Sequence, residues 1–252
     1  QVGECCGSME IVQGILQLSA SDLVGHLSCH HLSVLDRAVA QGLAPRPAHW
    51  DPLLQILWER GAVHEENFVQ HLTVAGHQVR RIDGFDITEA SLQATREAMG
   101  EGVAVIVQGA LRHGNWSGRA DILRRVEKPS ALGAWSYEVL DTKLARETKA
   151  GAVLQLCLYS DLLEHMQGAT PEHMCIVVPW SDFVPQEFRF ADYAAYYRQV
   201  RQNFEEALRQ NDARQTYPDP NPHCDVCRWF ETCDRQRRQD DHPCLVANIT
   251  KI

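Results

Sequence analysis

The stretch Gly118-Arg119-Ala120-Asp121-Ile122-Leu123-Arg124-Arg125-Val126, followed by Tyr137-Glu138-Val139-Leu140-Asp141-Thr142-Lys143-Leu144, decides the fold. The apolar runs Ala120 to Val126 and Tyr137 to Leu144 each alternate as a strand of about 6–8 residues does. Between them Pro129-Ser130-Ala131-Leu132-Gly133 supplies turn residues, so the two strands are predicted to pair as neighbours. Residues two apart on a strand share a face, which presents Asp141 and Lys143 together, and Asp121 on the adjacent strand joins them. Two carboxylates converging on one spot repel each other unless a positive charge lies between them, and a divalent cation is the natural candidate. A D-x-K triplet by itself would be a salt bridge on a hairpin. The remainder of the chain changes that reading.

At 252 residues the chain has ample apolar content for one large core. It contains no uncharged apolar run of about 18 residues and no basic-then-apolar leader, so a cytoplasmic protein is expected. Residues 1–17 read as leader or linker, the first eight preceding Met9. Nine cysteines in such a chain point to metal ligation or free thiols rather than a disulfide framework. The net charge of −9 excludes a protein coated in basic residues. Between Arg112 and Lys149, however, eight Arg and Lys face five Asp and Glu, so a nucleic-acid surface is expected to be local and central.

Outward from the centre, a helical segment is expected from Leu18 to about Ala40, capped by Ser19 or Ser21 and carrying Cys29. A loop over Gln41 to Pro52 leads to a helix over Leu53 to Ala75 that holds Gly61-Ala62-Val63-His64-Glu65-Glu66. A short strand over Gln78 to Ile82, a helix opened by Thr88 and running to Met99, and a strand over Val103 to Leu111 follow. Asn115 to Gly118 is read as the turn into the Asp121 strand. Beyond Lys143 a helix from Ala150 to Met166 places Gln155 and Tyr159 four apart on one face. A strand pair over His173 to Pro179 and Phe183 to Phe190 and a helix over Asp192 to Gln210 complete the core. The expected domains are 18–52 as an N-terminal helical segment, 53–211 as the core, and 212–252 as a cysteine-rich segment.

That last segment is the second strong signal. Pro218, Pro220 and Pro222 deliver Cys224-Asp225-Val226-Cys227 and then Cys233. Free cysteines prefer apolar cores, whereas these lie among Asp, Arg and Trp. Three thiolates leave a four-coordinate site one ligand short. His223 or His242 would complete a zinc site; a distant cysteine would complete an iron–sulfur cluster and tie the chain ends together.

Taken in order, Gly61-x-x-His64, Gly118-Arg119-Ala120-Asp121, Asp141-Thr142-Lys143, Gln155-x-x-x-Tyr159, and one early cysteine with a late C-x2-C-x5-C form a known pattern. The sequence resembles the RecB-like nucleases of the PD-(D/E)xK superfamily, in the cluster-containing branch that includes CRISPR-adaptation and AddB-type recombination nucleases. The resemblance spans about residues 18–246. It implies an α/β restriction-endonuclease-like core, a mixed sheet flanked by helices, with a small helical iron–sulfur region formed by both chain ends.

It also implies roles. His64, Asp121, Asp141 and the Thr142 carbonyl look like ligands of Mg²⁺ or Mn²⁺, hard cations that prefer oxygen and keep waters. Lys143 looks like the group that positions the attacking water or stabilises charge on the phosphate, with Gln155 and Tyr159 contacting DNA or bracing the site. The family's cysteine pattern selects Cys29, Cys224, Cys227 and Cys233 as ligands of a [4Fe–4S] cluster, leaving Cys5, Cys6, Cys157, Cys175 and Cys244 aside. The implied activity is metal-dependent hydrolysis of DNA phosphodiesters, on single strands or duplex ends. A helicase domain or subunit is the implied partner, since relatives of this kind are often helicase–nucleases. The competing reading is a zinc-stabilised nucleic-acid-binding module whose nuclease site is inactive. No G-x-x-x-x-G-K-[S/T] occurs, so the chain is not itself a P-loop motor.

Overall fold

The computed structural model describes residues 9–47, 52–144, 149–210 and 216–246. The first described residues make a hairpin, β1 (Glu10–Val12) and β2 (Ile15–Gln17), where a leader or linker was expected. Two anchors explain it: Met9 and Leu18 are each 2% exposed, and the Met9 amide donates to Asp22 Oδ1 at 3.1 Å. Residues 1–8, with Cys5 and Cys6, lie outside the described residues.

The single helical segment expected from Leu18 to Ala40 is two helices, α1 (Ala20–Ser28) and α2 (His30–Ala40). Ser19, not Ser21, caps the first: its hydroxyl accepts from the Asp22 amide while Asp22 Oδ2 accepts from the Ser19 amide at 2.8 Å. That reciprocal pair satisfies donors a bare helix start would leave open. Cys29 breaks the segment because it is extended (φ −159°, ψ 109°) and its amide closes α1 on Gly25. The stacked rings of His26 and His30, with centroids 4.3 Å apart, lie across the break.

After α3 (Pro52–Val74) come β3 (Val79–Arg81), α4 (Glu89–Gly100), β4 (Val105–His113), β5 (Trp116–Val126) and β6 (Ser136–Thr142). Then follow α5 (Ala150–Gln167), β7 (His173–Val177), β8 (Gln186–Arg189) and α6 (Phe190–Gln210), and nearer the C-terminal end α7 (Phe230–Gln239), flanked by short 3₁₀ turns. The expected turn at Asn115 to Gly118 begins and ends earlier, because Trp116 is already in β5. Its ring is fully buried and donates to Glu205 Oε1 on α6 at 2.8 Å, which draws the residue into the strand.

Strands β3 to β8 form one six-stranded sheet in sequence order, parallel at β3/β4 and β6/β7 and antiparallel elsewhere. On one face Ile106, Leu123, Tyr137 and Val139 pack with Met99 of α4, Leu154 and Leu158 of α5, and Phe204 of α6. On the other, Val107, Ile122 and Leu140 meet Phe68 and Val69 of α3. Burying an aliphatic or aromatic side chain of this kind stabilises by about 1.5–3 kcal/mol. The mixed α/β architecture is that of a restriction-endonuclease-like core. Helix α5 is fixed by its last residue: fully buried Gln167 accepts from the Tyr137 amide at 2.7 Å and donates to the Tyr137 carbonyl at 3.1 Å. Gly168 then ends the helix at φ +67°, as its type requires.

Candidate active site

Ile122 pairs with Leu140 across β5 and β6, so the next residues out, Asp121 and Asp141, stand opposite each other at the end of the ladder. Asp141 is fully buried on the α5 side, where its Oδ1 accepts from Gln155 Nε2 at 3.0 Å. The Lys143 ammonium lies 2.7 Å from Oδ2 as an ion pair and donates to Gln155 Oε1 at 3.2 Å. Gln155 Nε2 also reaches the Tyr159 hydroxyl at 3.5 Å. One turn of α5 therefore ties together Asp141, Lys143 and Tyr159. Gly118 permits this, since a Cβ there would meet Tyr159 Cε1 at 2.3 Å.

Asp121 is held differently. Its Oδ2 accepts from the Thr142 amide at 2.9 Å and the Thr142 hydroxyl at 3.0 Å. Its position follows from a break in strand alternation. On β4, Ile106 and Leu111 face the same core although they are five positions apart, and on β5 so do Ala120 and Leu123, three positions apart. Both strands switch faces at the same level, where Gln108 adopts a left-handed backbone (φ +57°) opposite Asp121. Such a conformation costs a non-glycine residue on the order of 1 kcal/mol and persists where the surroundings enforce it. Here they do: the Gln108 carbonyl accepts from Arg119 at 2.7 Å, and its side chain donates to Glu65 Oε1 at 2.8 Å.

His64 is buried on α3, and its Nε2 donates to the Val177 carbonyl at 3.1 Å. The Lys143 amide donates to the same carbonyl at 3.0 Å, so the imidazole stands at the end of β6. The contact places a proton on Nε2, so in the neutral ring Nδ1 is the nitrogen with the lone pair. Glu65, the next residue on α3, has its carboxyl raised above the usual range by burial and then by the charge of Asp121. Burial and, after it, Asp121 push Asp141 up to about 7, against the opposing pull of Lys143. Three acidic groups thus crowd one corner at a desolvation cost.

The donor set fits a hard divalent cation. Asp141 Oδ2 is buried and meets Lys143 as an ion pair rather than a well-directed hydrogen bond, so it remains an oxygen donor of the kind a hard cation takes. Among the described residues, no three His, Cys, Asp or Glu side chains close to ligand distance of a single point.

The cysteines form a separate cluster. Cys29, Cys224, Cys227 and Cys233 line one small cavity with Leu32, Trp229 and Arg237. Burial raises the Cys227 thiol, and the neighbouring Cys29 and Cys224 raise it further; Cys233 is pushed up to about 11 by burial and by the other three. Helix α2 supports the group through Asp36, which accepts from Trp229 Nε1 at 2.8 Å and pairs with Arg228 at 2.5 Å. Cys157 and Cys175 are buried in the core, and Cys244 lies outside the cavity.

A family model described as the PD-(D/E)XK nuclease superfamily matches residues 28–234. The chain belongs to the PD-(D/E)XK nuclease superfamily. The match opens one residue before Cys29 and closes one after Cys233, so it spans the sheet and both segments that carry the cysteines. No curated protein matches the chain. Nucleases of this superfamily use divalent metals. Sequence reasoning gave no role to Arg119 and Gln108. A Gln-Gly pair inside an otherwise apolar strand was the available signal for the break at Gln108. Arg119 left none, because it donates to backbone carbonyls, among them those of Ile82, Asp86 and Gln108, which carry no residue-type signal.

Proposed function

We propose that this chain is a Mg²⁺- or Mn²⁺-dependent deoxyribonuclease with a structural [4Fe–4S] cluster. The observation that carries the reading is the buried Asp141 carboxylate, opposed to Asp121 and paired with Lys143 at 2.7 Å. Asp121, Asp141, the Thr142 carbonyl and His64 Nδ1 would hold the cation, with Glu65 as a further carboxylate at the same corner. A bound divalent metal polarises the phosphoryl oxygen and lowers the pKa of its water. Lys143 orients the nucleophile or stabilises phosphate charge, and Gln155 keeps the ammonium and Asp141 in fixed relation. Tyr159 braces Gln155 and meets the strand.

Cys29, Cys224, Cys227 and Cys233 would hold the cluster. Four thiols line one cavity, a donor set that suits a [4Fe–4S] cluster or tetrahedral zinc, and the RecB-like resemblance is what favours the cluster. Reduced thiols suit a cytoplasmic protein. A helicase partner is part of the same proposal and rests on the RecB-like resemblance. The test is cleavage of 5′- and 3′-labelled single and double strands with Mn²⁺ and with EDTA. Metal-dependent cutting, together with broad visible absorption and iron in the purified protein, is expected. DNA binding without cleavage, in a colourless zinc-containing protein, would overturn the reading in favour of a binding module.

A further inference from the structure

One stretch of chain holds His64 at two points. The end of β7 supplies the first, the Val177 carbonyl that meets its Nε2 at 3.1 Å. A single hydrogen bond fixes one ring atom and leaves the plane of the imidazole free to swing about it. The loop that follows β7 supplies the second point. The Phe183 ring lies over His64 with centroids 6.1 Å apart and planes inclined by 13°, an offset stack of the kind aromatic pairs adopt.

Phe183 reaches that place through a strained backbone. The loop closes on itself twice, by the Ser181 amide on the Val178 carbonyl at 3.2 Å and the Val184 amide on the Ser181 carbonyl at 2.8 Å. Asp182 (φ +48°) and Phe183 (φ +62°) are the central pair of the second turn, both left-handed. Mirror-image turns of this kind favour Asn-Gly or Asp-Gly, and a bulky residue at the second position is an outlier. Such strain persists only where neighbours over-determine it, and it gathers at functional sites. Here α3 supplies the neighbours. Besides His64, the rings of Phe68 and His71 flank Phe183 with centroids 5.8 and 4.9 Å away. Positions 64, 68 and 71 share one face of that helix. Trp180 and Val184 of the same loop stay exposed, so the turn carries Phe183 rather than either of them onto α3.

Resting on the nuclease reading, in which His64 Nδ1 is a metal ligand, we infer that Phe183 is a positioning residue of the metal site. It fixes the plane of the imidazole and with it the direction of the Nδ1 lone pair. Groups that orient a ligating histidine typically govern about 10–100-fold in metal affinity. The strained turn after β7 is thereby part of the site, although Phe183 meets neither metal nor substrate.

The test is Mn²⁺ binding by the whole protein without substrate, read from the electron paramagnetic resonance signal of the free ion. Phe183→Leu keeps an apolar side chain and a comparable backbone penalty, so it removes the flat ring; Phe183→Tyr keeps the ring. The leucine variant is expected to bind Mn²⁺ about tenfold more weakly, and the tyrosine variant within about twofold of wild type. In a His64→Ala background, Phe183→Leu should change the affinity no further, because its effect runs through the imidazole. Val69→Ala loosens the apolar cluster against which Phe183 packs and should leave Mn²⁺ affinity at the wild-type value. Wild-type affinity in Phe183→Leu, an equal loss in Val69→Ala, or a further loss in the His64→Ala background would overturn the role. His64→Ala binding Mn²⁺ as the wild type does would remove the ligand and this inference with it. Failure of the nuclease reading as a whole shows separately, as a wild type that neither binds Mn²⁺ nor cuts labelled oligonucleotides with it.

Discussion

Asp141 is fully buried, carries a carboxyl pushed up to about 7, and has another carboxylate opposite it. A position chosen for stability alone would hold a neutral group there. Asp141→Asn is therefore expected to melt at or above the wild-type temperature in EDTA, while cleavage falls by roughly a hundredfold or more, the scale of losing one transition-state stabilising group. Asp121→Ala should lose cleavage equally and remain folded; wild-type turnover by both variants would refute the assignment. Lys143→Ala separates roles within the site, because an ammonium cannot be a metal ligand. Its Mn²⁺-induced rise in melting temperature should persist while turnover is lost. A variant that lost the thermal shift and kept turnover would show Lys143 shaping the metal site instead.

Elements decide whether these residues meet. Strand β5 approaches α5 at Gly118, where Tyr159 leaves no room for a methyl group. Gly118→Ala should cost about 1–3 kcal/mol through overpacking and displace the Tyr159–Gln155 pair, lowering cleavage. Combining it with Tyr159→Ala should recover most of the stability, and a strictly additive double-mutant cycle would argue against the contact. Helix α1 carries a pH response. His26, stacked on His30 and packed on Phe204, is lowered to about 4 by burial first and by His30 second. The unfolded chain binds this proton near pH 6.5 and the native one only near 4, so between those values the unfolded state holds more protons. Stability from this group is full above pH 6.5 and falls with acidification. At pH 5 the loss is about 2 kcal/mol. Asp22 on the same helix, raised to about 6 chiefly by burial, acts in the opposite sense over an overlapping window. The clean readout is thus the stability difference between wild type and His26→Phe. It should shift toward the variant by about that amount from pH 7.5 to pH 5, and a pH-independent difference would contradict the buried neutral imidazole.

Across the whole molecule, Cys29 and Cys224 lie 195 positions apart in sequence and line one cavity. A cluster held by these thiols would close a loop around the entire sheet, and constraining so long a loop restricts the unfolded chain. Metal sites absent from the unfolded state also add their binding free energy to folding. Cys29→Ser should therefore bleach the protein and lower its melting temperature about as much as Cys227→Ser does. Cys175→Ser and Cys244→Ser should keep the colour. Full iron content in Cys29→Ser, with metal loss in His223→Ala or His242→Ala, would replace the long staple with a local zinc knuckle.

Local periodicity made part of this molecule legible in advance. Two alternating runs joined by a turn can pair only as neighbours, and period two then puts Asp141 with Lys143 and Asp121 opposite. Spacing of four likewise placed Gln155 and Tyr159 on one face of α5, and the C-x2-C-x5-C array reads as a unit because its members are close in sequence. Other features depend on contacts between distant segments. The left-handed backbone of Gln108 is enforced by Arg119 and Glu65, the approach of Glu65 to Asp121 requires α3 to dock on the sheet, and His64 is fixed by a carbonyl on β7. The extended residue at Cys29 interrupts a stretch whose propensities are helical throughout, which tertiary packing can override at a cost of about 1 kcal/mol. The cavity beside Lys143 has walls from α1, α2, α5, β7 and the cysteine segment, and no window of sequence contains them together. Sequence alone determined the strands and the residues they carry, because that information lies within a few positions along the chain. Only the tertiary structure decided the corner they share and the space beside it, because burial and long-range hydrogen bonds set those.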